Sequence, residues 1–298
     1  DYSDRTVTSI FIGGGTPSLL SGEQIGQLMD RIREQFAMAQ DAEITMEVNP
    51  GTASAEKLRN FYTAGINRLS IGMQSAQAEE LKNLGRIHDF EGFCQVYREA
   101  VEAGFTNINV DIMSGLPGQT LASYRDTLEK VLHLEPMPQH ISAYSLIVEE
   151  GTPFAAMAER GELPLPEEET ERAMYEETIE VLAKYGFHRY EISNYARDGY
   201  ECRHNVGYWI RRDYLGFGIG AASLIDNVRF QNEKSLRTYL AHPLESREEE
   251  QTLTVQDRME ETMFLGLRLT RGVSCVDFAE QYGRTVEEVY GEVIARNV

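Results

Sequence analysis

Cysteine is scarce and scattered in this chain. The three that occur, Cys94, Cys202 and Cys275, are odd in number and far apart. That excludes a disulfide framework and a metal clip of neighbouring thiols, and suits a reducing compartment. No apolar run approaches ~18 residues, so no membrane-spanning helix is expected. The opening Asp1-Tyr2-Ser3-Asp4 is neither basic nor apolar, so nothing directs export and a cytoplasmic protein is expected. Positive charge is short as well: 28 Lys and Arg face 48 Asp and Glu, for a net charge of −20. Such a field repels a phosphate backbone and argues against a nucleic-acid partner. The acid gathers between Glu149 and Glu180, where a solvated linker and helix face account for it. Neither GxGxxG nor the P-loop pattern is present.

What is present begins with Gly13-Gly14-Gly15-Thr16-Pro17-Ser18, placed directly after the strand-like run Val7–Ile12. Glycines at the end of a buried strand let another molecule approach bare backbone, because no Cβ intervenes. From Val7 to about Val148, strand and helix patterns alternate. Strands are expected at 7–12, 44–48, 68–73, 108–113 and 140–147. The helices between them are expected at 21–36, 54–64, 76–84, 91–103 and 121–133. Gly65 and Gly104 fall where helix C-caps belong. Five such units, fewer than a full barrel needs, predict an α/β fold: a partial (β/α) barrel or an open sheet. A helix over 167–185, a strand and turn over 187–196, a tight strand over 214–221, and a small α-rich module of winged-helix character after Thr254 complete the chain. The domains expected are a barrel over 1–190, an extension over 191–245 and a C-terminal module over 246–298. The chain lacks an initiator Met and stops inside a helical pattern, so a piece of a longer protein is expected.

In parallel α/β folds ligands bind at the carboxyl ends of the strands. There this sequence places the glycines, then Glu47, Gln74, Asp111 and Tyr144-Ser145. Glu47 in Ile-Thr-Met-Glu-Val and Asp111 in Ile-Asn-Val-Asp-Ile are acids within apolar strands, a costly arrangement unless a partner is supplied. One alternative is a loop cap or a pairing with Arg68 or Arg86. The ordered set instead suggests a ligand that is a zwitterion joined to a sugar. Carbonyls and a carboxylate take an ammonium, an arginine takes a carboxylate, and Gln plus Asp take vicinal hydroxyls.

These motifs, with Ser70-Ile71-Gly72-Met73-Gln74-Ser75, Leu84-Gly85-Arg86-Ile87-His88, Asp111–Pro117 and Tyr190–Asn194, resemble those of radical S-adenosylmethionine (SAM) proteins. More narrowly, they resemble the oxygen-independent coproporphyrinogen III oxidase family and its HemW-type heme chaperone relatives. The resemblance implies a radical-SAM-type partial barrel that uses SAM and a 4Fe–4S cluster. It assigns the methionyl ammonium to the Gly14, Gly15 and Thr16 backbone with Glu47. It assigns the carboxylate to Arg86, the ribose to Gln74 and Asp111, and a place near the sulfonium or adenine to Ser145. The family's CxxxCxxC element lies ahead of the glycine strand, so the cluster cysteines are expected upstream of Asp1, outside this chain.

His204-Asn205-Val206-Gly207-Tyr208-Trp209 reads as HNxxYW, which resembles the chaperone group rather than the oxidase. The resemblance offers His204 as a heme ligand, Tyr208 and Trp209 as stacking surfaces, and Cys202 as a weaker candidate. The alternative is that His204 bonds a turn while Trp209 anchors the extension, and the residues alone leave both open. The implied partners are heme or a porphyrin and a heme-acceptor protein. A porphyrinogen-decarboxylating enzyme and a non-catalytic barrel remnant are the competing functions.

Overall fold

Alternation along the central strands gives the sheet an apolar face toward the helices and a largely polar face opposite. The computed structural model describes residues 5–243 and 247–297, which form two compact units divided after His204.

The first unit carries a seven-stranded sheet curled into a half barrel. Strands β1 (Thr6–Ile12), β2 (Ala37–Val48), β3 (Arg68–Gln74), β4 (Ile108–Ser114) and β5 (His140–Ser145) run parallel in sequence order. The short β6 (His188–Arg189) and β7 (Asn194–Ala196) extend it antiparallel, with β7 against β5. Helices α1 (Gly22–Gln35), α2 (Ala55–Thr63), α3 (Ala78–Asn83), α4 (Phe90–Glu102) and α5 (Leu121–Leu132) fill the crossovers, and α6 (Pro153–Glu159) and α7 (Glu168–Lys184) follow β5. The boundaries of α1 and α5 are set by reciprocal caps, Ser21 with Gln24 and Thr120 with Ser123.

Ile44, Met46, Val48, Leu69, Ile71, Met73, Ile108, Val110, Ile112 and Ile141 point to the helices. They share one core with Ile25, Met29, Leu58, Phe61, Phe93 and Leu128. Burying each such side chain contributes about 1.5–3 kcal/mol. The residues between them face into the curl, among them Ser9, Phe11, Glu43, Thr45, Glu47, Ser70, Asn109, Asp111, His140, Ser142 and Tyr144.

Two expectations are corrected here. β2 starts seven residues before the predicted Ile44, because Ala37 and Met38 pair with Thr6 and Val7 of β1 although their stretch lacks β-branched residues. The barrel unit also passes residue 190, since β7 joins its sheet.

The helix α8 (Arg203–Trp209) runs across the division. In the second unit β8 (Ala222–Ile225), β9 (Val228–Asn232) and β10 (Arg247–Thr252) form an antiparallel sheet. They are accompanied by α9 (Leu236–Ala241), α10 (Val255–Gly266), α11 (Cys275–Tyr282) and α12 (Val286–Asn297). Met259, Phe278 and Val286 centre a small core there. The strand predicted over 214–221 is instead a loop that keeps one bridge, Tyr214 to Leu224. Its glycines bond to side chains, as where Asn232 Nδ2 reaches the carbonyls of Gly216 and Gly218.

Candidate functional site

The glycine run leaves β1 with its backbone uncovered. A Cβ on Gly13 would stand 2.8 Å from the Phe11 ring and 3.1 Å from Glu47 Cδ, so only glycine fits. Gly14 and Gly15 have φ of 76° and 61°, and nothing lies within 4 Å of where their side chains would be. The amide of Gly14 donates to Glu47 Oε2 at 3.1 Å, tying the loop to β2.

Glu47 is half-buried. Burial first, then the charge of Asp111, push its carboxyl above the ordinary range, while the Gly14 bond opposes them. Asp111 accepts from Ser70 Oγ at 3.1 and 3.3 Å and from Asn109 Nδ2 at 2.7 Å. Burial raises its carboxyl too, opposed by those bonds and by the Arg68 charge.

Gln74, at the end of β3, is 4% exposed and has φ of 70°, a left-handed backbone rare outside glycine. Its Oε1 accepts from the Tyr144 hydroxyl at 2.9 Å. Burial, then the Asp111 charge, raise the Tyr144 phenol, which also feels Arg86 and Glu47. Tyr144 therefore lies within the field of all three charged candidates and bonds the fourth, so Glu47, Gln74, Arg86 and Asp111 share one region. Among the described residues, the half-buried Arg86 guanidinium makes no hydrogen bond or ion pair. Thr16 caps no helix with its side chain, and its carbonyl accepts from Leu19.

Ser145 departs from this grouping. Its hydroxyl meets Ser114 Oγ at 3.1 Å and lines a cavity of about 80 Å³ with Tyr124, Tyr175, Thr178 and Tyr195. This placement follows from the two-residue period of β5: His140, Ser142 and Tyr144 point inward, so Ser145 points toward α5 and α7. Ser70 and Asn109 are site-forming residues with no signal of their own among the strand-end groups, and that same period places them, with Tyr144, on the inward face.

The His, Tyr and Trp of HNxxYW are engaged in packing. His204 stacks on Phe11 at 5.1 Å, and its Nδ1 lies 3.1 Å from Ser9 Oγ. Burial lowers its pKa and favours the neutral ring. Glu43 accepts from the amides of Arg203 and His204, both at 3.0 Å, and from the Cys202 thiol at 3.5 Å. In the second unit Tyr208 meets Tyr214 edge-on at 4.7 Å, and the Arg268 guanidinium lies 4.3 Å from the Trp209 ring centre. Among the described residues no group of three His, Cys, Asp or Glu side chains is arranged to hold a metal ion.

A half barrel whose parallel strands present this polar cluster at their carboxyl ends defines a radical-SAM-type domain. Residues 1–131 match the Radical SAM superfamily and residues 253–296 the HemN C-terminal domain. The coproporphyrinogen III oxidase HemN of Escherichia coli, described as a radical SAM enzyme, superposes with a TM-score of 0.83 at 26% identity, covering 99% of this chain and 70% of its own. The chain is 41% identical over 293 residues to the heme chaperone HemW of Bacillus subtilis, spanning 96% of this chain and 76% of that protein. It is 39% identical to the HemW of Lactococcus lactis, over 98% and 77% of the two chains. The chain belongs to the HemW heme chaperone family.

Proposed function

We propose that this protein binds SAM across the ends of β1 to β4 and, as a heme chaperone, binds heme and passes it to an acceptor protein. The observation that carries the SAM assignment is an Arg86 guanidinium with no partner among the described residues, in the region of Glu47, Gln74 and Asp111. The donor set fits the ligand. Glu47 and the exposed glycine carbonyls accept from an ammonium, Arg86 takes a carboxylate, and Asp111 with Gln74 takes ribose hydroxyls. When bound with a reduced 4Fe–4S cluster, SAM supplies an adenosyl radical. No group of three His, Cys, Asp or Glu among the described residues fits such a cluster.

The test uses the full-length protein reconstituted anaerobically. Arg86→Ala and Asp111→Asn each remove a charge-assisted contact, so SAM affinity should fall about 10- to 100-fold by equilibrium dialysis. Unchanged affinity in both would defeat the assignment.

Heme handling rests on family membership and on His204. Added heme should give a Soret shift that His204→Ala weakens, and an unaltered shift would remove His204 as ligand. The similarity to HemN favours one second reading, the anaerobic oxidation of coproporphyrinogen III. Turnover of that substrate by the reconstituted protein would select it.

A further inference from the structure

A buried carboxylate outside the binding groups is bonded to the turn that carries Gln74. The left-handed Gln74 sits at an irregularity in the β3–β4 pairing, between Gly72 and Gln74. A non-glycine residue persists in that conformation only when its surroundings hold it. Its amide is bounded on two sides. The Tyr144 hydroxyl donates to Oε1 at 2.9 Å, and Nε2 lies 2.8 Å from where a Gly72 Cβ would stand.

The backbone is held through the next residue. Ser75 is fully buried, and its amide donates to the Met73 carbonyl at 2.9 Å, closing a tight turn around Gln74. Its hydroxyl donates to Glu80 Oε2 at 2.6 Å and accepts from the Gln77 amide at 2.9 Å. Glu80 is 5% exposed and has no Lys or Arg partner among the described residues. Its oxygens are instead met by hydrogen bonds. Gln119 Nε2 donates at 3.0 Å to the oxygen that Ser75 uses, and Ser123 Oγ donates at 2.7 Å to the other. Gln119 also holds the Met113 carbonyl at 3.1 Å and the Leu116 amide at 3.2 Å. One carboxylate thus links the exits of β3 and β4 to the first turn of α5.

We infer that Glu80 is a positioning residue for SAM: through Ser75 it sets the left-handed turn that presents the Gln74 amide to the ribose. This rests on the SAM assignment above. A carboxylate suits the position because it accepts all three donors at once, whereas a neutral amide would face Gln119 or a serine with a donor of its own.

The test compares SAM with analogues lacking one or the other ribose hydroxyl, using the full-length protein and equilibrium binding. Wild type should lose about tenfold with the analogue missing the hydroxyl that Gln74 meets. Glu80→Ala should weaken SAM by about tenfold and leave that analogue nearly unaffected, so the discrimination collapses. In a Gln74→Ala background, Glu80→Ala should add little. If Glu80→Ala weakens SAM and the analogue equally, or adds its full effect beside Gln74→Ala, the residue is merely structural and the inference fails. Glu80→Gln, which keeps the shape, supplies the same comparison if the alanine variant does not fold. Wild-type indifference to both hydroxyls would instead overturn the ribose assignment, and this inference with it.

Discussion

Glu47 and Asp111 stand on inward rows of β2 and β4, each harder to ionise than a carboxylate in water. For a raised acid the sign is set: the folded protein binds protons more tightly than the unfolded chain. Stability contributed by these groups is therefore present at low pH and lost as pH rises from about 4 through the raised values. Glu47→Gln removes one such group. Its denaturation midpoint should gain at neutral pH relative to wild type and lose that advantage near pH 4, as read from urea titrations. The same change should weaken SAM about tenfold or more, because the amide presents a donor to the ligand's ammonium. A variant with an unaltered pH profile would show that the Glu47 carboxyl does not limit stability. The sequence displayed both acids, since each is stranded among Ile, Val and Met. It did not show why they are tolerated. Ser70, Asn109 and Gly14 provide the bonds, and Ser70 and Asn109 look unremarkable in the sequence because short polar residues are common in alternating strands. Tyr144 and Ser145 are one position apart, which in a strand turns their side chains to opposite faces.

At the scale of elements, α1 to α5 and α7 are legible almost to the residue, because capping residues and apolar periodicity act within a single turn, whereas the short α6 was not expected. β2 and the loop after Tyr214 are not. The first part of β2 is drawn into the sheet by its β1 neighbour, and the loop is held by side chains from β9 and α9. The start of α8 depends on Glu43, a β2 residue some 160 positions away. Glu43→Ala leaves two backbone amides and a thiol without their acceptor, a loss of about 2–3 kcal/mol. The expected readouts are a lower thermal midpoint and faster amide exchange at Arg203 and His204. Unchanged exchange would mean that α8 is held by other contacts.

For the molecule as a whole, a net charge of −20 implies self-repulsion that salt relieves. Raising ionic strength from about 0.02 to 0.2 M should lift Tm by about 2–4 °C, on the order of 1 kcal/mol. A Tm that falls with salt would show that ion pairs, such as Arg211 and Arg229 with Glu261, outweigh the repulsion. No helix among the described residues is long and apolar enough to cross a membrane. The amino-acid sequence alone determined the βα alternation, the helix ends, the glycine turn and the types of group available to a ligand. Each of these follows from forces that act over a few residues. The tertiary structure decided which groups meet: Tyr144 bonds Gln74 across 70 positions, and His204 reaches Ser9 across 195. Strand order and curl set those meetings, and neither is a property of any short stretch of chain.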